Sequence, residues 1–104
     1  MGELVVKEVD EVGAPRFVLL LDMGGGGLGG ERAAGRAAWY ALEGLRRGYA
    51  VALVTVERSG TVARAVFSPS DVIRRLGAAA PGSPDLPPVE DAVLMVTHTG
   101  DSWR

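Results

Sequence analysis

The sequence predicts a small open α/β fold: a mostly parallel sheet of about five strands, with helices on its faces and an antiparallel hairpin at one edge. Three observations carry this. Strand-length apolar runs alternate with stretches of helical periodicity, the pattern of strand–helix–strand crossovers. Phe17–Leu21 is apolar throughout, as a central parallel strand covered on both faces must be. That run ends in Asp22 and opens into a loop with six glycines between Gly24 and Gly30. In open α/β sheets ligands bind where a strand's carboxyl end feeds such a loop and a helix.

Taken in order, Leu4–Val9 alternates apolar and charged residues and reads as a half-buried strand. Glu11–Pro15, with Gly13 and Pro15, is a turn, and Phe17–Asp22 is the central strand. Glu31–Arg47 is the strongest helix, with Ala33, Ala34, Ala37, Ala38, Ala41, Leu42 and Leu45 recurring at helical spacing. Glu31 suits the N-terminal end of the dipole, Arg46 and Arg47 the other end, and Gly48 the C′ position. The alanine face predicts a helix lying close to its sheet. Tyr49–Glu57, the turn Arg58-Ser59-Gly60 and the return strand Thr61–Phe67 form a hairpin. Ser68 or Ser70 caps a second helix, with Pro69 in its first turn and Val72, Ile73 and Leu76 on one face. Ala78–Pro88, with four prolines, is a loop. Ala92–Thr97 is the last strand, and Thr99-Gly100-Asp101 ends the pattern.

A length of 104 residues fits a single domain, 1–104, with a modest core. The chain is 47% hydrophobic and 23% charged, a globular composition. No apolar stretch approaches the roughly 20 residues of a membrane span, and with no basic n-region before an apolar h-region no secretory signal is expected. The absence of cysteine removes disulfides, thiol catalysis and zinc–thiolate sites. A net charge of −2 argues against nucleic-acid binding. The expected location is cytoplasmic.

Three functions compete for the glycine loop. The first is small-ligand or nucleotide binding through Gly24–Gly30. Gly24, Gly26 and Gly29 satisfy G-x-G-x-x-G, but in a glycine run the match is nearly automatic. Asp22 would also repel a pyrophosphate, and no Gly-Lys-Ser/Thr follows for a Walker loop. The second is a divalent-metal site built on Asp22. The third is structural: the glycines give a tight path from strand to helix, and the loop is mobile until a partner orders it. The third is favoured.

His98, the only histidine, stands at the end of the last strand, on the same side of the sheet as Asp22. A His–Asp pair can do acid–base work, but no nucleophile accompanies it, so His98 reads as a hydrogen-bonded structural residue and no catalytic residue is expected. Thr97, Thr99 and Ser102 have turn roles. Trp39 and Tyr40 point about 100° apart on the helix, and the simplest expectation is that both cover sheet edges. Arg32, Arg36, Arg46 and Arg47 with Glu43 form a solvated face. The exposed edge Thr61–Phe67 offers a route to a homodimer.

Strand, Asp and glycine loop together resemble the von Willebrand factor A fold. Its metal-ion-dependent adhesion site reads Asp-x-Ser-x-Ser at this place; here the run is Asp22-Met23-Gly24-Gly25-Gly26. Both hydroxyl positions are glycine, and Thr97-His98-Thr99 puts His98 where a later carboxylate is expected. More narrowly, Gly2–Glu8, Phe17–Asp22, Leu45–Val51 and Ala52–Thr55 resemble domain-of-unknown-function family fifty-eight. Its members are von Willebrand factor A-like proteins often encoded beside MoxR-type AAA+ ATPases. The resemblance runs from Gly2 to about Leu76 and weakly includes the last strand. It implies a non-catalytic interaction module with a degenerate metal site, assisting such an ATPase in assembly, and no cofactor. It also implies that the chain is the C-terminal part of a longer protein whose parent can be anchored at the cytoplasmic membrane face. Asp22 is then the one remnant metal ligand, and Asp22, Met23, Gly24, Gly26, Thr97 and His98 form the interaction rim.

Overall fold

The computed structural model describes residues 15–86 and 88–104. The strand expected at Leu4–Val9, most of the turn after it and the Gly2–Glu8 part of the family resemblance lie outside the described residues. Among the described residues five strands and two helices follow one another: β1 (Arg16–Asp22), α1 (Gly27–Arg46), β2 (Ala50–Glu57), β3 (Gly60–Val66), α2 (Pro69–Gly77), β4 (Ala92–Thr97) and β5 (Gly100–Trp103).

The strands form one sheet in the order β3-β2-β1-β4-β5. β1 is central and pairs in parallel with β2 and β4. β3 returns antiparallel to β2, and β5 antiparallel to β4. The sheet is therefore mixed rather than mostly parallel, because both of its edges are hairpin returns. The hairpin edge expected at Thr61–Phe67 is present as β3. β5 was not expected: Gly100-Asp101-Ser102-Trp103 is short and polar, with no apolar alternation for a strand to announce itself.

Both helices lie against one face of the sheet, not one on each. Ala33, Ala37 and Ala41 of α1 and Val72 of α2 pack in one cluster with Leu19, Leu21, Leu53 and Val96. Alanine lets α1 approach closely, and Gly44 closer still. A Cβ at Gly44 would stand 2.9 Å from the Phe17 ring. Leu19, Leu21 and Leu53 are fully buried, each contributing roughly 1.5–3 kcal/mol, so the β1–β2–α1 seam dominates the stabilisation.

The opposite face carries Val18, Leu20, Val54 and Val93, with Ala52, Met95 and Leu86 packed on them. Among the described residues no helix covers it. The chain leaving α2 does so instead. Its Ala80 N–H donates to Val56 O at 2.7 Å and its Gly82 N–H to Gly24 O at 2.7 Å. It thus passes over the carboxyl ends of β2 and β1 before Leu86 drops onto the second face.

α2 begins as expected: Ser68 Oγ accepts from Asp71 N at 3.2 Å, with Pro69 at the first helical position. The same helix supplies the one buried cation among the described residues, Arg75. Its guanidinium donates to Glu57 Oε2 at 2.9 Å, Leu53 O at 3.0 Å, Thr55 Oγ1 at 3.1 Å and Val62 O at 3.1 Å. The β2–β3 hairpin is thereby fastened to α2 by a fully satisfied charge, the condition under which a buried ion is tolerated. Arg36, expected on a solvated face, is also engaged. Its Nε meets both oxygens of Asp101, at 3.1 and 3.0 Å, and its Nη2 donates to Thr97 O at 2.7 Å. Tyr40 Oη donates to Asp101 Oδ2 at 2.9 Å. Tyr40 is half-buried, whereas Trp39 stands 61% exposed, so only one of the two aromatics covers the sheet.

Candidate functional site

The carboxyl ends of β1 and β4 lie side by side, with Asp22 in register with Thr97. His98 N–H donates to Asp22 O at 3.0 Å and joins the two ends. The Asp22 carboxylate turns back into its own loop. Its Oδ1 accepts from Gly24 N at 2.8 Å, and its Oδ2 accepts from Ser83 Oγ at 2.8 Å. His98 Nδ1 stands 3.8 Å from Asp22 Oδ1, beyond a direct hydrogen bond.

The glycines are needed at particular points. Gly24 has φ +57°, and a Cβ there would lie 2.5 Å from His98 Nδ1; Gly26 has φ +87° and faces Pro81 Cγ at 2.9 Å. The helix starts at Gly27 rather than Glu31, so Gly29 and Gly30 are helical. The reason is packing: a Cβ on Gly30 would meet Met23 O at 2.8 Å, so the first turn of α1 can rest on the strand end only as glycine. Met23 in turn packs against the main core. The loop expected to be mobile is tied down by Gly26 N to Met23 O at 2.9 Å and by its bridge to Gly82.

Asp22, Met23, Gly24, Gly26 and His98 are thus brought together. Thr97 adjoins them through its backbone, but its hydroxyl closes the β4–β5 turn. It accepts from Thr99 N at 3.2 Å and Gly100 N at 3.1 Å and donates to Gly100 O at 2.7 Å. Ser83 belongs to the site, and no local sequence signal points to it. Pro81-Gly82-Ser83-Pro84 announces a stiff turn, but nothing local says that this turn returns to the end of β1.

The residues do not fit a metal-ion-dependent adhesion site. Magnesium takes several hard oxygen ligands. Here both Asp22 oxygens already hold protein donors, the hydroxyl positions are Gly24 and Gly26, and the nearest further side chain is an imidazole. Among the described residues no group of three or more His, Asp or Glu side chains could hold a metal. Nor is there a nucleophilic relay, because Ser83 donates to Asp22 rather than to His98 and no imidazole stands between them. Phe17, Tyr49, Ala65 and Phe67 line a groove of about 390 Å³ at the other end of the sheet, away from Asp22.

Compared with protein-family models, with curated proteins and with solved structures, the chain matches none.

Proposed function

We propose that the chain is a non-catalytic protein-interaction module of von Willebrand factor A-like type, whose former metal position is filled by the protein's own donors. The observation that carries this reading is that each Asp22 oxygen already accepts a protein donor, Gly24 N on one and Ser83 Oγ on the other, both at 2.8 Å. A carboxylate held in this way organises the loop in place of a cation. The rim of Asp22, Met23, Gly24, Gly26, Thr97 and His98 then offers a partner a preformed surface, which lowers the ordering cost of binding. A MoxR-type AAA+ ATPase is the partner that the family resemblance suggests.

Calorimetric titration with magnesium and with manganese tests the reading. The expected result is no binding in the micromolar range for the wild-type chain. Micromolar binding that disappears in Asp22→Ala would overturn it. A thermal-shift series with nucleotides addresses the competing ligand-binding reading, because any ligand taken up by the native state alone raises the melting temperature by mass action.

A further inference from the structure

Among the described residues β3 is an open edge of the sheet, with Gly60, Thr61, Ala63, Arg64 and Ala65 exposed. Glu57 pairs with Gly60 across the two-residue turn, and antiparallel bonding alternates from such a pair. The ladder to β2 therefore uses the backbone of Gly60, Val62, Arg64 and Val66. The backbone groups of Thr61, Ala63 and Ala65 point outward. Phe67 follows the same parity, and its N–H is already taken: it donates to Asp71 Oδ2 at 2.8 Å. The free edge is thus the trio Thr61, Ala63, Ala65, with Ala63 at its centre. No proline or bulge, the usual means of blunting an edge, interrupts it.

We infer that this edge pairs with β3 of a second copy, antiparallel and about a two-fold axis at Ala63. In that register Ala63 faces the second Ala63, Thr61 faces Ala65, and each outward backbone group of the trio finds a partner. Arg64 then lies opposite Val62. The neighbouring register, centred on Arg64, sets two like charges directly against each other, which is destabilising. It also calls on the Phe67 N–H that Asp71 occupies. The edge is therefore self-complementary in one register and opposed in the next. The small side chains of Ala63 and Ala65 keep the seam free of steric conflict. The inference concerns the β3 edge, where the segment after Ser83 touches Thr61 through Asp85 N–H on its Oγ1 at 3.0 Å, and it does not depend on the metal question.

The chain has no cysteine, so introduced thiols report the register. Directly opposed, hydrogen-bonded residues have Cα atoms about 5.5 Å apart, within disulfide range. Oxidised Ala63→Cys should form a covalent dimer. Thr61→Cys and Ala65→Cys should crosslink when mixed but not singly. In light scattering the wild-type chain should show twice the monomer mass at high concentration. Ala63→Pro should return it to monomer, because it removes an outward N–H without touching the β2 ladder. Circular dichroism checks that this variant is folded; if it is not, the cysteine register decides. A wild-type monomer at high concentration overturns the inference. So does a dimer unaffected by folded Ala63→Pro, or crosslinking in which Ala63→Cys pairs with Ala65→Cys instead of itself.

Discussion

Gly24 occupies a position that it shares with the face of the His98 ring. Its φ of +57° already disfavours a side chain, and an added Cβ would fall 2.5 Å from Nδ1 and 2.7 Å from Cγ of His98. Gly24→Ala should therefore destabilise the chain by roughly 1–3 kcal/mol, read from urea unfolding. Gly25→Ala is the internal control. Nothing lies within 4 Å of its Cβ position, and its change should stay within about 0.5 kcal/mol of neutral. Equal losses at both positions would mean that a backbone requirement shared along the loop, not the His98 contact, calls for glycine. At this scale the sequence was informative where chemistry is local. Asp22 at the end of an apolar run, and glycine at the turn after it, can be read from neighbours in the chain. The Ser83 hydrogen bond spans 61 residues, and no periodicity encodes a contact of that separation.

Elements were legible in proportion to their periodicity. β1, β2, β4 and α2 fall within a residue or two of where pattern and capping place them. α1 starts four residues early because glycine, the poorest ordinary helix former, is used for its size against Met23. β5 was invisible because its evidence is tertiary: Asp101 is held by Arg36 and Tyr40 from α1, and the Trp103 ring meets Phe17 edge-on at 5.9 Å. This link has a pH signature. The hydrogen bond to the Asp101 carboxylate, reinforced by partial burial, raises the Tyr40 phenol above its ordinary value of 10.0. A group whose pKa is raised by folding contributes stability that is complete below its unfolded pKa and is lost as pH rises through the folded one. The tie between α1 and β5 should therefore weaken as pH rises through the raised phenol pKa. Ultraviolet difference titration should show one phenol ionising above the ordinary range, and Asp101→Asn should bring it back. An unchanged titration curve in that variant would remove Asp101 as the cause.

Across the whole molecule the two faces of the sheet are stabilised unequally. One is sealed by α1 and α2. The other is covered, among the described residues, by irregular chain descending from the Asp22 end, with Leu86 seated on Val18, Leu20, Val54 and Val93. The strand–helix order predicted a mostly parallel sheet with helices on its faces; among the described residues both helices lie on one face. Proline and glycine mark a loop, but they do not say that the loop carries the burial a helix would otherwise supply. One segment thus has two duties: Gly82 and Ser83 hold the Gly24–Asp22 end, and Leu86 closes the core. Loosening either should be felt at the other. Leu86→Ala removes apolar contact from a half-buried position and should cost roughly 1–3 kcal/mol, below the 2–5 kcal/mol range of fully buried leucines. It should also raise binding of a hydrophobic dye, because the second face opens to solvent while α1 and α2 keep their helical dichroism. Native-state hydrogen exchange then separates two outcomes. If the segment is one cooperative unit, the Gly82 amide, bonded to Gly24 O, loses protection together with the face. Protection lost at the face alone, with Gly82 unchanged, would show that the Asp22 end is held independently by Ser83 and the Gly24 bridge.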